Sequence, residues 1–353
     1  MRAEVAIVGA GVMGCGLARE LAARGRDVLV LERIVPGAEA SSAAGGILGA
    51  QSESAGPGPF LDLALASRAH WPELAASLRE ETGIDVGYRR SGVLKISLGG
   101  DWLSPIAEWQ ERAGLHFSRL DAEQAHALQP GLNERLVEAL FFPEDGVVDA
   151  QLLPAAMAAS AIRAGARIVD GGEVTDIAPR SLETTRGRVE AEAIVVCAGA
   201  WTSRLIRGAL VRPVRGQVLA LKARPGQLGP VTFTREGYLI PRADGRILVG
   251  STTEHVGFVK EVTVGGLRTL TGIATAALPA LAHAPVLDHW AGFRPGTPDD
   301  LPLIGETAGV AVLSGHYRNG ILLAPISARL MAQKLCGEPT DLDLSPYDPG
   351  RFA

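Results

Sequence analysis

The chain has few cysteines, and their spacing excludes two classes of small protein. Its 353 residues contain three, Cys15, Cys197 and Cys336, with no CxxC pair among them. An odd number of widely spaced cysteines argues against a disulfide framework and against a structural zinc site. We therefore expect a protein of the reducing cytoplasm that holds no metal.

Lysine, clustered positive charge and long apolar runs are also scarce. Four scattered lysines and a net charge of -5 leave no basic surface for nucleic acid. No uninterrupted apolar run approaches the roughly 20 residues that cross a membrane, and the first strand leads into a glycine turn rather than a signal peptide. These absences favour a small-molecule partner, with no nucleic acid and no membrane insertion.

The first 33 residues have the pattern of a dinucleotide-binding unit. A β-branched run at 5–8 precedes Gly9, Gly11 and Gly14, which open a helix predicted over 12–24. In such a GxGxxG turn the first glycine permits the bend, the second lets the backbone approach a pyrophosphate, and the third lets the helix pack on the strand. The phosphates then meet the positive end of the helix.

Glu32 ends the second strand of this unit, which is predicted over 28–31. A carboxylate at that position accepts hydrogen bonds from the ribose hydroxyls of adenosine and repels the additional phosphate of NADP. We favour an adenine dinucleotide, and the alternative is a glycine-rich turn that binds nothing. The unit alone does not separate NAD from FAD.

Near the C-terminus, another strand is followed by a glycine turn and the start of a helix. This second unit favours a flavin. Residues 310–325 read VAVLSGHYRNGILLAP. A second helix N-terminus directed at the cofactor suits the ring carbonyl and the anionic reduced ring of a flavin, because the positive end of the helix dipole stabilises both. NAD enzymes rarely need this feature, so the sequence predicts FAD.

The rest of the pattern predicts an α/β protein, in which a Rossmann-like FAD-binding domain is interleaved with an α+β substrate domain built on an antiparallel sheet. The FAD-binding domain is predicted over 1–50, 145–210 and 296–353, and the substrate-binding domain over 51–144 and 211–295. Helices are predicted at 58–82, 103–114, 121–128, 151–164 with Asp149 as its cap, 266–277 and 321–335.

Five segments together resemble the D-amino acid oxidase family of flavoproteins and, within it, the glycine oxidases of the thiamin pathway. The resemblance runs from end to end of the chain, and its most specific part is the segment around residues 315–325. The segments are VAIVGAGVMG, ASSAAGGIL, IVVCAGAWT, WAGFRPGTPDDLPLIG and SGHYRNGILLAP.

This resemblance implies which residues contact the substrate. Arg294 would bind the substrate carboxylate through two parallel hydrogen bonds, and Tyr238 would donate to the same carboxylate. Arg318 would lie near the substrate or the flavin ring. The alternatives are an Arg294 paired with Asp299 or Asp300, a half-buried Tyr238, and an Arg318 that contacts backbone carbonyls at the start of a helix.

Three further residues, Thr253, Gly46 and His316, are assigned to the substrate pocket by the same resemblance. Thr253 stands where the family's glycine oxidases can carry a methionine, which predicts a more polar pocket. His316 is a candidate base, although a turn histidine satisfied by the backbone is the simpler interpretation.

The resemblance also implies a set of residues around the cofactor. Some sarcosine oxidases bond their flavin to a cysteine near the C-terminus, but the GHYRNG turn has none, so FAD is predicted to be bound non-covalently. The predicted cofactor contacts are Gly9, Gly11, Val12, Met13, Gly14, Glu32, Arg33, Ser41, Ser42, Ala44, Gly45, Gly46, Val174, Ala198, Gly199, Arg294, Arg318, Asn319, Gly320, Ile321 and Leu322.

The expected activity is the oxidative deamination of glycine, and also of sarcosine and small D-amino acids. The α-hydrogen would leave as hydride, giving an imino acid or glyoxylate, and oxygen would be reduced to hydrogen peroxide. The product would feed thiazole synthesis by a thiazole synthase, and the resemblance suggests a homotetramer. Two alternatives remain: a D-amino acid dehydrogenase that reduces a quinone, and a non-catalytic flavin-binding subunit of a hetero-oligomeric oxidase.

Overall fold

A computed structural model describes residues 1–352, whose strands form three sheets. The strands are β1 (Arg2–Val8), β2 (Val28–Leu31), β3 (Ile47–Leu48), β4 (Val93–Ser97), β5 (Ser118–Asp121), β6 (Glu138–Phe142), β7 (Gly146–Val147), β8 (Arg167–Val169), β9 (Val174–Ala178), β10 (Ser181–Thr184), β11 (Val189–Val196), β12 (Arg212–Lys222), β13 (Val231–Phe233), β14 (Tyr238–Pro241), β15 (Arg246–Gly250), β16 (Val286–Gly296), β17 (Leu303–Thr307) and β18 (Val310–Ser314).

The helices lie mostly where the sequence predicts them. They are α1 (Val12–Ala23), α2 (Ala40–Ala43), α3 (Pro59–Thr82), α4 (Ser104–Arg112), α5 (Ala122–Leu128), α6 (Leu153–Arg163), α7 (Thr202–Leu205), α8 (Val264–Ala277) and α9 (Gly320–Cys336), with 3₁₀ turns at Gly199–Trp201, Pro279–His283, Ser345–Tyr347 and Pro349–Phe352. Over the described residues, no helix has the length and apolar character required to cross a membrane.

The first sheet has the strand order β17-β18-β11-β1-β2-β8. Along this order the strands run parallel except β17, which is antiparallel to β18 at the edge. The β9–β10 hairpin belongs to the same sheet, and its β10 pairs antiparallel with β11. Helices α1, α6 and α9 cover one face, and the β9–β10 hairpin and α7 contribute to the other. Because both faces are covered, the central strands are continuous apolar runs rather than alternating ones.

The second sheet has the strand order β16-β12-β15-β14-β13-β4-β6-β5. Neighbouring strands are antiparallel except β13 and β4, which run parallel. Helices α5 and α8 pack on the outer face, while the inner face carries Val218, Phe233, Tyr238 and Leu248. The α/β class is thus confirmed, and the second sheet is the antiparallel one that the sequence predicts.

Helix α3 joins the first layer rather than the second sheet. It packs against α6 and α9, where Ser67 Oγ and Trp71 Nε1 donate to the Leu322 carbonyl at 2.6 and 3.0 Å. The predicted substrate-binding segment 51–144 includes this helix. The exact domain boundaries therefore stay a prediction.

The predicted cap of α6 is wrong by a few residues. The helix begins at Leu153, whereas Asp149 lies one turn earlier and accepts a hydrogen bond from the Gln151 amide at 2.9 Å. The Asp149 side chain therefore closes a turn before the helix and does not cap the first helical amides, although its backbone carbonyl accepts from the Leu153 amide at 3.1 Å. Pro154 does lie in the first helical turn, where a missing N–H costs nothing.

Candidate active site and cofactor cavity

The GxGxxG turn has the close contacts that its glycines were expected to allow. Gly9 has φ +102°, and a Cβ there would lie 2.6 Å from the Cys197 carbonyl oxygen. A Cβ on Gly14 would lie 1.9 Å from the Gly9 carbonyl oxygen, so α1 packs directly on the turn. Only glycine fits at both positions.

Glu32 faces the cavity and also holds the backbone around the GxGxxG turn. One carboxylate oxygen accepts a hydrogen bond from the Ala10 amide at 2.8 Å, and the other accepts from the Ile34 amide at 2.9 Å. A carboxylate has further lone pairs beyond these two bonds. Glu32 can therefore accept from ribose hydroxyls without releasing the backbone.

A cavity of about 300 Å³ lies between the first sheet and the inner face of the second. The N-termini of α1 and α9 both border it, and neither Gly11 nor Asn319 caps its own helix with a side chain. The predicted residues that line it are Gly9, Gly11, Val12, Met13, Glu32, Arg33, Ser41, Ala44, Gly45, Val174, Ala198, Gly199, Tyr238, Arg294, His316, Arg318, Gly320 and Ile321.

Six predicted residues do not line this cavity: Gly14, Ser42, Gly46, Thr253, Asn319 and Leu322. Gly14 supports the turn as described. Leu322 is fully buried, and its carbonyl is taken by α3. Ser42 Oγ donates to the Gly37 carbonyl at 2.6 Å, which holds the segment before α2 rather than a ligand.

An aromatic cluster at one end of the cavity was not predicted. The Trp201 and Phe258 rings lie 5.1 Å apart, and Phe293 contacts both. The Arg33 guanidinium lies 4.5 Å from the Trp201 ring centroid, and the Arg204 guanidinium lies 3.9 Å from that of Phe258. These residues come from four separate parts of the chain, so no local motif marks them.

A smaller compartment of about 30 Å³ adjoins the cavity on the side of the second sheet. It brings together the three residues predicted to contact the substrate, and it adds two polar residues that the sequence reasoning missed, Ser251 and Glu53. Its lining residues are Ala44, Gly45, Gly46, Ile47, Glu53, Tyr238, Ser251, Arg294, Arg318 and Ile321. Gly46 thus lies on the substrate side, as predicted.

Arg294 has no carboxylate partner within residues 1–352. Its Nη1 donates to the Thr252 carbonyl at 3.1 Å, and its Nη2 donates to Ser251 Oγ at 2.6 Å. The alternative pairing with Asp299 or Asp300 is wrong, because Asp299 pairs with Arg351 at 2.8 Å and the hydrogen bonds of Arg294 go to Ser251 and to backbone carbonyls. A guanidinium has five N–H donors, so this one retains enough of them to grip a carboxylate.

Two glycines of the second sheet make room for the arginine and the tyrosine. A Cβ on Gly216 would lie 2.2 Å from Arg294 Nη2, and one on Gly250 would lie 2.4 Å from Tyr238 Cε2. Gly216 lies inside strand β12 and Gly250 ends β15, so each large side chain lies across a neighbouring strand. An interior strand glycine is a sequence signal for such close approach.

Arg318 forms an ion pair with Glu53 at the edge of the compartment. Its Nη2 lies 3.2 Å from Glu53 Oε2, and the glutamate side chain is nearly buried. The Glu53 carboxylate raises the pKa of Arg318. The alternative that Arg318 contacts only backbone carbonyls at the start of α9 is therefore wrong.

His316 is a neutral, buried residue rather than a base in the substrate compartment. Its Nε2 lies 3.0 Å from Ser327 Oγ, and burial lowers its pKa to about 3. Its partner is a side chain and not the backbone. The folded-state pKa of His316 lies below the ordinary histidine value of about 6.5. The stability that comes from burying the neutral imidazole is therefore complete above pH 6.5. As the pH falls from 6.5 toward 3 this stability is lost, because the unfolded state takes up a proton that the folded state does not.

The pocket assignment of Thr253 is wrong. Thr253 is exposed and lines neither cavity, although its neighbours Thr252 and Glu254 stay hydrogen-bonded to strand β12. The side chain that enters the compartment is Ser251. The hydroxyl that makes the pocket more polar is therefore that of Ser251, two residues before Thr253.

The cavity fits FAD. Two glycine turns border it, two helix N-termini would supply amides for the phosphates and for a ring carbonyl, and the aromatic cluster lies beside Arg33 at one end. Burial raises the pKa of the Cys15 thiol to about 12 and also raises that of Cys197, which borders the cavity. Both thiols are therefore protonated and poor nucleophiles, in keeping with the predicted non-covalent attachment.

Comparisons with known proteins identify the family. Residues 4–334 match the family described as FAD dependent oxidoreductase. A glycine oxidase of Geobacillus kaustophilus is 39% identical over 363 aligned residues, which cover 98% of this chain and 96% of that protein. The crystal structure of glycine oxidase from Geobacillus kaustophilus superposes with a TM-score of 0.95, 38% identity and 99% coverage of both chains.

A fusion protein is also similar. The bifunctional protein ThiO/ThiG of Synechocystis sp. is 36% identical, and the match covers 99% of this chain but 54% of that protein. The chain therefore spans about half the length of this relative.

Fold, cavity and substrate compartment together define an FAD-dependent oxidoreductase. The chain belongs to the D-amino acid oxidase family of FAD-dependent oxidoreductases. It is an FAD-dependent amine or amino-acid oxidase, and the predicted family, fold class, enzyme class and cofactor are confirmed.

Proposed function

We propose that this enzyme oxidises glycine, and also sarcosine and small D-amino acids, to the imino acid or glyoxylate while oxygen is reduced to hydrogen peroxide. The observation that carries the proposal is the Arg294 guanidinium, which has no carboxylate partner in the described chain and borders both the cofactor cavity and the small compartment. A planar guanidinium in that position is suited to a carboxylate.

The size of the compartment supports a small substrate. About 30 Å³ is available, which holds roughly two or three water-sized groups. A substrate whose carboxylate lies against Arg294 therefore has little space for a side chain. Glycine fits this limit best, and sarcosine and D-alanine are each one methyl group larger.

The chain's own residues bind and orient the substrate. Arg294 holds the carboxylate, and Tyr238 lines the same compartment with its hydroxyl bonded to Ser251. Gly45 makes room for the Ile240 side chain, whose Cδ1 would lie 2.5 Å from an added Cβ. No residue in the compartment is a free general base, because Glu53 is paired with Arg318. The substrate amine therefore has to bind in its neutral form. Bound FAD supplies the redox chemistry by accepting two electrons from the substrate and passing them to oxygen.

The similarity to bifunctional ThiO/ThiG proteins supports a role in supplying thiazole synthesis. In this proposal a separate thiazole synthase receives the imino acid, and the enzyme acts in the cytoplasm as a homo-oligomer. The domain division at 50/51, 144/145, 210/211 and 295/296 belongs to the same proposal. Sequence resemblance supports these points, and each needs its own measurement.

Steady-state oxidation with two electron acceptors tests the proposed reaction. The holoenzyme is supplied with glycine, sarcosine or D-alanine, and oxygen consumption and peroxide are measured beside the reduction of an artificial dye. The proposal expects peroxide formation with glycine as a good substrate. Dye reduction without oxygen consumption would instead identify a dehydrogenase, and no turnover with any of the three would favour a non-catalytic subunit.

A further inference from the structure

The hydroxyl of Ser251 contacts both substrate-binding residues at once. Its Oγ accepts a hydrogen bond from Arg294 Nη2 at 2.6 Å and another from the Tyr238 hydroxyl at 3.1 Å. Ser251 also lines the small compartment. No other side chain of the described residues is hydrogen-bonded to both of them.

The number of donors and acceptors on a hydroxyl determines which hydrogen bond Ser251 can still form. A serine oxygen has two lone pairs and one proton, and here the two accepted bonds take up the lone pairs. The Ser251 proton is therefore the one group of this hydroxyl that remains to be donated. A carboxylate that enters the compartment can therefore accept hydrogen bonds from Arg294 and from the Ser251 hydroxyl, while the single Tyr238 proton is already donated to Ser251.

The segment that carries Ser251 is fastened to the second sheet. Thr252 Oγ1 accepts from the Gln217 amide at 2.9 Å, and the Thr252 carbonyl accepts from Arg294. Glu254 forms a partly buried ion pair with Arg215 of strand β12, and the two residues exchange backbone hydrogen bonds at 2.9 and 3.0 Å. The position of the Ser251 hydroxyl is thus set by strand β12 and not by a free loop.

We propose that Ser251 is a positioning residue for substrate carboxylate recognition, holding the Arg294 guanidinium in the geometry that grips the carboxylate and fixing the Tyr238 hydroxyl beside it. The proposal rests on the proposed function. Without the hydroxyl, both donors lose their shared acceptor, and the guanidinium can rotate away from the compartment. The effect falls on binding and not on the redox step, since Ser251 does not extend to the larger cofactor cavity.

Equilibrium binding of acetate to the holoenzyme tests this role without turnover. Acetate carries the carboxylate but no amine, and its binding is followed through the visible absorbance of the bound flavin. Three variants are compared with the unaltered enzyme: S251A removes the hydroxyl, S251T keeps it, and T253A removes an exposed hydroxyl two residues away. Flavin content per chain is measured for each, so that a folding defect is recognised.

The proposal expects S251A to weaken acetate binding and raise KM for glycine about tenfold, as the loss of one charge-assisted hydrogen bond implies. It expects kcat of S251A to change less than about threefold. For S251T and T253A it expects the acetate Kd, the KM for glycine and kcat all to stay within about threefold of the unaltered enzyme. If S251A binds acetate as tightly as the unaltered enzyme, the role of Ser251 is refuted. A fall in kcat with an unchanged acetate Kd refutes it equally.

Failure of the proposed function gives a different result. If acetate does not perturb the flavin of the unaltered holoenzyme at any concentration, the carboxylate site itself is wrong, and the role of Ser251 falls with it. If acetate binds and S251A weakens it but glycine is not oxidised, Ser251 retains its role for a different carboxylate substrate.

Discussion

Replacing Gly216 by alanine should displace the arginine that binds the substrate. The added Cβ would lie 2.2 Å from Arg294 Nη2 and 2.4 Å from both Cζ and Nη1. To regain van der Waals contact, the guanidinium has to retreat by about 1 Å. Its bonds to Ser251 and to the Thr252 carbonyl cannot both survive that movement.

The size of the effect follows from the interaction that is lost. Hydrogen bonds to charged groups contribute about 1.5 to 3 kcal/mol each, so losing one in the bound complex should raise KM for glycine about 10- to 150-fold. We expect kcat to fall less, because the methyl group acts on carboxylate binding rather than on the redox step. Initial rates over a glycine series and an acetate titration measure the two quantities.

Gly272→Ala is the matched control. Gly272 is exposed on α8, and a Cβ there meets no atom within 4 Å. This variant should keep both kinetic constants and gain slightly in stability, since alanine favours a helix over glycine. Gly216 also borders the cofactor cavity, so flavin content has to be equal in both variants. A fully loaded G216A enzyme with unchanged KM would refute the account of Arg294.

Three other predictions test the cofactor turn, the buried histidine and a buried carboxylate. Gly14→Ala should abolish FAD binding, because its Cβ would overlap the Gly9 carbonyl; a purified variant with a normal flavin spectrum would contradict this. His316→Gln should lose less stability between pH 7 and pH 5 than the unaltered protein, by about 2 kcal/mol in urea unfolding, since the unfolded histidine takes up a proton there and the folded one does not; equal losses would show that His316 is not the group. Asp145→Asn should lower the free energy of unfolding by about 3 kcal/mol, because it leaves Arg68 without its buried partner at 2.8 Å; an unchanged urea midpoint would refute that pairing.

Features encoded by short stretches of sequence could be predicted well. The GxGxxG turn and Glu32 are set by local spacing, and the structure places them at the cavity as expected. Resemblance placed Arg294, Tyr238 and Arg318 in one site, and the structure brings these three side chains to the same compartment.

The missed features depend on register between distant strands. Ser251 reaches the compartment because β15 ends one residue earlier, whereas the family resemblance had indicated Thr253 instead. Glu53 was missed because its partner, Arg318, lies 265 residues away. Gly216 did carry a signal, since a glycine inside a strand indicates close approach, but the sequence does not say which side chain approaches it.

The most direct test of the central claim is anaerobic mixing of the holoenzyme with glycine, comparing the unaltered enzyme with Arg294→Gln at equal flavin content. Our account predicts that glycine bleaches the flavin of the unaltered enzyme, that air restores the colour with formation of peroxide, and that the variant stays yellow at the same glycine concentration. Equal bleaching of both enzymes would contradict the role of Arg294. No bleaching of the unaltered enzyme would contradict glycine as its substrate.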